Sequence, residues 1–533
     1  MNAATLRCPP GTSNLAALEL DNLERFGVYK RLHYEDRALT NLDEFKLAGS
    51  LARLLRDYGV AVGDRVLVMM PNSPELTAAF PAIWMIGAAI VPVIPQWTAV
   101  EVAGILRNSG AKVLVTVPAL APRLQEAAKI AGGACQLLIF GETGIPGCED
   151  ISPLLASLPP IETPVDRSEH DLAILLYTSG TTGSPKGVIL THGNFRAAVD
   201  AVLERNPEPK LNPMLHPLPL THVYGVLMQM LGNRWGISSV MVRQFDPVKV
   251  FQAIERFQVQ YMPVVPTMLV YLLNHPERTR YNLSSLTHIT SGGAPLPEPL
   301  RLEFERVFQC RIQQGYGLSE SASIATTFAL DEAYRPRSVG PAVAGVEISI
   351  LDDADEPLPP RSVGEICLSG PNITKGYWQD PDATGLALRN CWLHTGDVGY
   401  LDEDGYLFIT DRKKDLIIKG GENVSPREIE DALYLHPAVA EAAVVGIPDP
   451  VFGEEIWAVI HLKPGASVDK DQIRQHVAQY VTKFKVPAEV VFQPDLPKNS
   501  NAKILKRVIR QQLIAKAHLC DAAGEQIVDN GFQ

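Results

Sequence analysis

Residues 177–187 read YTSGTTGSPKG, and the apolar run AILL at 173–176 leads into them. Within this stretch the hydroxyls of Thr178, Ser179, Thr181 and Thr182 are interleaved with Gly180 and Gly183. Glycine permits close backbone approach, so main-chain N–H and side-chain O–H groups converge, which is how a loop cradles phosphate oxygens. Lys186 adds a point charge. A Walker A loop has glycine directly before its lysine, whereas here Pro185 stands there. A bland polar turn has no reason to combine these hydroxyls, glycines and a lysine, so the stretch is expected to bind phosphate at the end of a strand.

On the N-terminal side, helical and strand patterns alternate. Thr40 and Asn41 precede Asp43 and Glu44 as a capping box. Leu47, Leu51, Leu54, Leu55 and Tyr58 then recur at helical spacing up to Gly59. RVLVMM (65–70), KVLVTV (112–117) and QLLIF (136–140) read as buried strands, separated by helices at Glu101–Ser109 and Pro122–Ala131. Such alternation predicts a parallel or mixed α/β sheet covered on both faces. Leu76–Val100 carries no charge and is long enough to cross a bilayer, but it contains Pro81, Pro92 and Pro95. A buried helix ending near Gly87, followed by the strand AAIVPVI (88–94), accounts for it better.

On the C-terminal side the pattern changes near residue 411. DEDGYLFITD (402–411) reads as a hairpin around Asp404–Gly405, and the basic run RKKD (412–415) follows. Beyond it, SPREIEDALYLH and DKDQIRQHVAQYV read as helices, and AEAAVVGI, EEIWAVIHL and AEVVFQ as short strands. The expected organisation is a large unit over 1–411 and a smaller α+β unit over 412–533, with the charged run as a hinge.

The 533 residues carry 48 Lys plus Arg against 60 Asp plus Glu, a net charge of -12. That excludes the dense cationic face a nucleic-acid partner needs. Seven scattered cysteines without a CxxC pair argue against a disulfide scaffold or structural zinc site and for a reducing compartment. The first residues, MNAATLRCPPGTSN, lack the charged and apolar segments of a secretory leader, so a cytoplasmic location is expected.

Six further segments follow the phosphate-loop pattern: LPLTHVYG (218–225), SGGAP (291–295), QGYGLSES (314–321), HTGD (394–397), DRKKDLIIKGGENVSPREIE (411–430) and PKNSNAK (497–503). Together, in this order, they resemble the adenylate-forming superfamily of acyl- and aryl-CoA ligases, firefly luciferase and peptide adenylation domains. The resemblance implies a large domain of layered mixed sheets and helices with a small mobile α+β domain. It also implies ATP, Mg2+ and CoA as cofactors. Thr178, Ser179, Gly180, Thr181, Thr182, Gly183 and Lys186 would hold phosphates. Gly293, Ala294, Pro295, Gln314, Gly315 and Gly317 would lie along the nucleotide, with Tyr316 stacked on adenine and Ser319 at the α-phosphate. Glu320 would hold Mg2+, and Asp397 and Arg412 would reach the ribose. His222 would gate the carboxylate, with Tyr224, Met228, Gly292, Gly293, Gln314, Gly315 and Ile324 lining the acyl pocket. Lys503 would neutralise charge between carboxylate and α-phosphate, though SNAK stands where the superfamily usually has SGK. Lys414 matches the hinge, and Gly420–Gly421 the lining of the thiol tunnel.

The reaction implied is formation of acyl-AMP and pyrophosphate, then transfer of the acyl group to a thiol. IIKGGENVSPREIE resembles the CoA-ligase branch, so a fatty or aryl acid and CoA are expected. A carrier-protein phosphopantetheine is the alternative acceptor. A non-catalytic nucleotide-binding relative would have lost Lys503, Glu320 or Lys186, and all three are present.

Overall fold

The computed structural model describes residues 6, 11–133, 135–142, 144–145, 149–178, 185–208, 210–498 and 503–523. Two seven-stranded sheets form the large unit. One runs in the order Glu149–Asp150, Gln136–Ile139, Val113–Thr116, Arg65–Met69, Ala89–Pro92, Leu172–Thr178, Lys186–Thr191. All its pairs are parallel except the last, where Thr178 lies opposite Lys186 in an antiparallel hairpin. Thr178 and Lys186, at the described ends of the phosphate-loop pattern, thus face each other at the edge of the sheet. The pattern's residues Ser179, Gly180, Thr181, Thr182 and Gly183 lie outside the described residues.

The second sheet runs Arg311–Gln314, His288–Ser291, Tyr261–Val264, Met214–His216, Ser239–Met241, Lys30–Tyr34, Arg37–Thr40. The helices read from periodicity are present. Thr40 accepts a hydrogen bond from Asp43 N and caps Asn41–Asp57, an arrangement worth about 1 kcal/mol. The helix Pro74–Met85 carries Pro81 inside it and closes just before Gly87, as expected, where φ is +74°. The strand Ala89–Pro92 follows, fully buried. No helix among the described residues is long and apolar enough to cross a membrane.

A five-stranded antiparallel sheet was not expected. It joins Glu347–Leu351, Gly364–Ser369, Trp392–Leu401 and Leu388–Arg389, with Leu407–Arg412 paired to Trp392–Leu401. Arg412 is the last residue of this sheet and sits opposite Asp397. The next sheet starts at Ile417 and combines Glu422–Val424, Ile417–Lys419, Gly453–Leu462, Val439–Asp449 and Glu489–Phe492. Its hydrophobic residues form two clusters drawn solely from positions 417–514, separate from the core of the preceding sheets. Burial is thus satisfied on each side of the 413–416 link independently, as expected of two domains.

Candidate active site

The strand His288–Ser291 ends in the turn Gly292–Gly293, and Gly293 has φ +77°. A Cβ on Gly292 would lie 3.3 Å from the Tyr224 ring, so the glycine lets the ring lie against the turn. Tyr224 opens the helix Val223–Trp235 and its hydroxyl donates to Thr290 O at 3.0 Å. His222 caps the same helix: its Nδ1 accepts from Tyr224 N at 3.3 Å. A neutral imidazole with Nδ1 accepting carries its proton on Nε2. Burial, then the charge of Lys503, lowers the His222 pKa to about 4. The ring is therefore a fixed Nε2–H donor at neutral pH.

Met228, on that helix, and Ile324, after the QGYGLSES turn, are both buried. Gln314 differs from expectation in one respect. Its side chain accepts from Leu296 N at 3.2 Å and donates to the Tyr334 hydroxyl at 2.9 Å, so it shapes the Ala294–Pro295 turn and is occupied internally. Gly315 follows it, with room for a Cβ only 3.3 Å from Thr326 O.

Tyr316 pairs its backbone in both directions with Thr326. Its hydroxyl donates to Asp397 Oδ2 at 2.7 Å, while Arg412 Nε donates to Asp397 Oδ1 at 2.8 Å. Burial, and then the Asp397 charge, push the Tyr316 pKa well above its ordinary value, so the phenol remains a donor. Each Asp397 oxygen retains a lone pair for a further hydroxyl. Behind it, Glu365 accepts from Gly396 N at 3.0 Å and from Lys413 Nζ at 3.2 Å, bracing the loop of Asp397 and the residue beside Arg412.

Ser319–Glu320–Ser321 form a single 3-10 turn, followed by left-handed Ala322 and Ser323 at φ +48° and +82°. A Cβ at Gly317 would sit 2.1 Å from Ser323 O, so only glycine fits. Asn372 Nδ2 secures the turn by donating to Ser321 O and Ile324 O at 2.9 and 2.6 Å. Lys186 and Glu320 meet a common neighbour, Tyr377. The Lys186 ammonium lies 5.3 Å from the centre of its ring, and its hydroxyl donates to Glu320 Oε1 at 2.8 Å. Sequence reasoning missed both Asn372 and Tyr377. The only sign of Tyr377 was a Tyr–Trp pair after glycine in the polar stretch PNITKGYWQD (371–380).

Lys503 joins this group from the far end of the chain. Burial and the Arg412 charge lower its pKa to about 8, with Lys414 acting in the same sense and Asp397 and Asp415 opposing. The pKa of Lys414 is likewise lowered by burial and by Arg412. Arg412, Lys414, Lys503 and Arg507 thus lie within electrostatic reach of one another beside Asp397 and Asp415. Gly420 and Gly421 are elsewhere: they form an exposed turn with φ +56° and +84°, and Gly420 packs toward Phe452 and Phe484 of the same small unit. Asn499–Ala502, the segment before Lys503, lies outside the described residues.

This arrangement belongs to a recognisable class. The AMP-binding enzyme family matches residues 21–378, and the AMP-binding enzyme C-terminal domain matches residues 428–503. The chain belongs to the AMP-binding enzyme family. Among its relatives, a long-chain-fatty-acid–CoA ligase of Bacillus subtilis is 32% identical over 541 residues, covering 96% of each chain. A feruloyl-CoA synthase of an Amycolatopsis species is 36% identical over 482 residues, covering 89% of this chain and 94% of that one. The ATP-bound structure of MatB from Rhodopseudomonas palustris is 30% identical and superposes with a TM-score of 0.85, covering 94% of this chain and 99% of that one. The apo structure of the same enzyme gives 0.75 over 95% and 99%, so the present arrangement is nearer the ATP-bound form.

Proposed function

We infer that this chain is an AMP-forming acid–thiol ligase. It joins a carboxylic acid to ATP as acyl-AMP with loss of pyrophosphate, then passes the acyl group to the thiol of CoA. The observation that carries this reading is the convergence of Lys503 and His222, far apart in sequence, beside the Asp397–Arg412 pair.

The first half-reaction brings an anionic carboxylate to an anionic α-phosphorus, and preorganised positive charge lowers that barrier. In our assignment the His222 Nε2–H orients the carboxylate, and Lys503 bridges it to the α-phosphate. Asp397 accepts from the ribose hydroxyls while Arg412 reaches the ribose and phosphates. Tyr316 presents its ring to adenine with its hydroxyl anchored on Asp397. Ser319 meets the α-phosphate, and Thr178, the loop residues 179–183 and Lys186 meet the outer phosphates. Glu320 suits Mg2+, which is commonly held by one or two carboxylates plus substrate phosphates. Its Oε1 is taken by Tyr377, which leaves Oε2 to the cation. When bound, the metal neutralises phosphate charge.

For the second half-reaction we assign the division of the chain to the 413–416 link, just past the expected 411/412 boundary because Arg412 completes the large unit's sheet, rotation to Lys414 and the thiol path to Gly420–Gly421. The exposed position of that turn agrees with a part awaiting the other arrangement. A cytoplasmic setting also belongs to the proposal. It rests on the cysteine pattern, in which Cys135, Cys310, Cys367 and Cys391 are free thiols.

The acid is proposed to be an apolar monocarboxylic acid, fatty or aryl. The helix after His222 reads VYGVLMQMLGNRW and offers no carboxylate to an α-ammonium. Burying that ammonium unpaired costs several kcal/mol. Pyrophosphate release with fatty and aryl acids, and none with the twenty amino acids, is the expected result. Turnover with amino acids alone would overturn the pocket assignment. Adding CoA or a phosphopantetheinylated carrier protein then identifies the acceptor.

A further inference from the structure

Tyr377 lies on a segment that ties two separate parts of the site together. On one side the segment is stitched to the strand Lys186–Thr191. Ile189 N donates to Gly376 O at 3.0 Å, Trp378 N to Gly187 O at 2.7 Å, and Thr374 Oγ1 to Ile189 O at 2.6 Å. On the other side it grips Glu320 twice. Thr374 N donates to the Glu320 backbone carbonyl at 2.7 Å, and the Tyr377 hydroxyl donates to the Glu320 carboxylate at 2.8 Å. The segment itself is fixed: Tyr377 N donates to Thr384 Oγ1 at 2.9 Å, and Trp378 Nε1 to Asn108 O at 3.1 Å. Gly376 has φ +123°, and a Cβ there would lie 2.4 Å from the Thr384 side chain. The backbone is therefore held where the tyrosine faces both Lys186 and Glu320.

We propose that Tyr377 is a positioning residue for the adenylation half-reaction, its hydroxyl aiming the Glu320 carboxylate and its ring seating the Lys186 ammonium. This rests on the reading of Glu320 as the magnesium ligand and Lys186 as a phosphate ligand. A carboxylate with both oxygens free rotates about its terminal bond. With Oε1 engaged by a hydroxyl, Oε2 is presented in one direction. The ring face attracts the ammonium and limits where it rests. The distance between the cation site and the phosphate lysine is then set by one side chain.

The test is ATP binding to the full chain, measured calorimetrically with and without Mg2+. Tyr377→Phe removes the hydroxyl and keeps the ring. It is expected to reduce the Mg2+-dependent gain in ATP affinity roughly tenfold, the effect of losing one hydrogen bond to a charged group. Affinity for metal-free ATP should stay within about twofold of wild type, as Tyr377→Phe leaves the ring over Lys186 intact. In a Glu320→Gln background the same substitution should have no further effect, since coupled residues are non-additive. Equal weakening with and without Mg2+, or an undiminished effect in the Glu320→Gln background, would overturn the proposal and reduce Tyr377 to packing. A wild-type chain whose ATP binding ignores Mg2+ would overturn the assignment of Glu320, and this role with it. Tyr377→Leu removes the ring too and should also weaken metal-free ATP binding a few-fold, an increment absent when Lys186 is alanine. Full retention of metal-free binding in Tyr377→Leu would overturn the ring's part.

Discussion

The two charged ends of the site are built on opposite terms. Around Tyr377, a lysine, a tyrosine and a carboxylate already satisfy one another: Lys186 lies over the ring and Glu320 accepts from the hydroxyl. Around Arg412, Lys414 and Lys503, cations gather, and both lysines titrate below their ordinary value, first through burial and then through the Arg412 charge. The first end is a seat prepared in advance. The second holds Lys503 where burial and Arg412 disfavour its charge, so an anion bound there would favour its protonated form. Under the proposed assignment, the difference teaches how a site can be fixed where the outer phosphates would rest yet responsive where bonds would change.

Removing the responsive end should have the largest effect. Lys503→Ala is expected to slow acyl-AMP formation by roughly 10²–10³, the value of one preorganised charge. Conversion of supplied acyl-AMP to thioester should remain near wild type, read in separate single-turnover assays of the two halves. Equal damage to both halves would erase the contrast between the ends.

Next comes the pH dependence. Lys503 in the free protein titrates at about 8, below its unfolded value, because burial and Arg412 oppose its charge. For acyl-AMP formation, kcat/KM reports the free enzyme and should fall as pH rises through about 8, approaching tenfold per unit above it. Lys503→Ala should lose this limb. The stability sign is the reverse. The folded chain binds fewer protons than the unfolded chain between pH 8 and the ordinary lysine range, so this group makes stability rise with pH across that window. His222 titrates at about 4 and should add no limb near neutrality.

The smallest effect is expected from Tyr316→Phe, which keeps the ring and deletes the hydrogen bond to Asp397. Asp397 retains Arg412, so ATP affinity should weaken only about three- to tenfold, as for one hydrogen bond. A loss as large as that of Lys503→Ala would mean that the ribose corner, not the lysine, governs the site.

How far the sequence foretold this varies with the kind of signal. The capping box at Thr40, the apolar strands of the first sheet and the hairpin at Asp404–Gly405 are local patterns, and they appear where periodicity put them. Apart from its last hairpin, the antiparallel sheet over 347–412 was missed because its strands carry no clear alternation. The uncharged stretch 76–100 is a buried helix closing before Gly87 and then a buried strand, as its prolines and its turn glycine indicate, although Pro81 itself sits inside the helix. Within the site, motif resemblance gave Tyr316 to adenine and Asp397 and Arg412 to the ribose, and hydrogen bonds join the three. The partnership of Lys503 with His222 follows from no spacing in the chain, only from resemblance. Tyr377 had neither spacing nor resemblance to point to it, because its role comes from the two segments it bridges.

Arg412 closes the large unit's last strand and Ile417 opens the small unit's first, so four residues, 413–416, make up the whole leash between them. Five peptide steps reach at most about 18 Å. A unit released from its docking face would thus stay within a small sphere. The lysine it carries would face the site at an effective concentration on the order of millimolar or higher, whatever the abundance of the protein in the cell. Return to the adenylating arrangement is therefore a local search of orientations, and its rate should be independent of protein concentration.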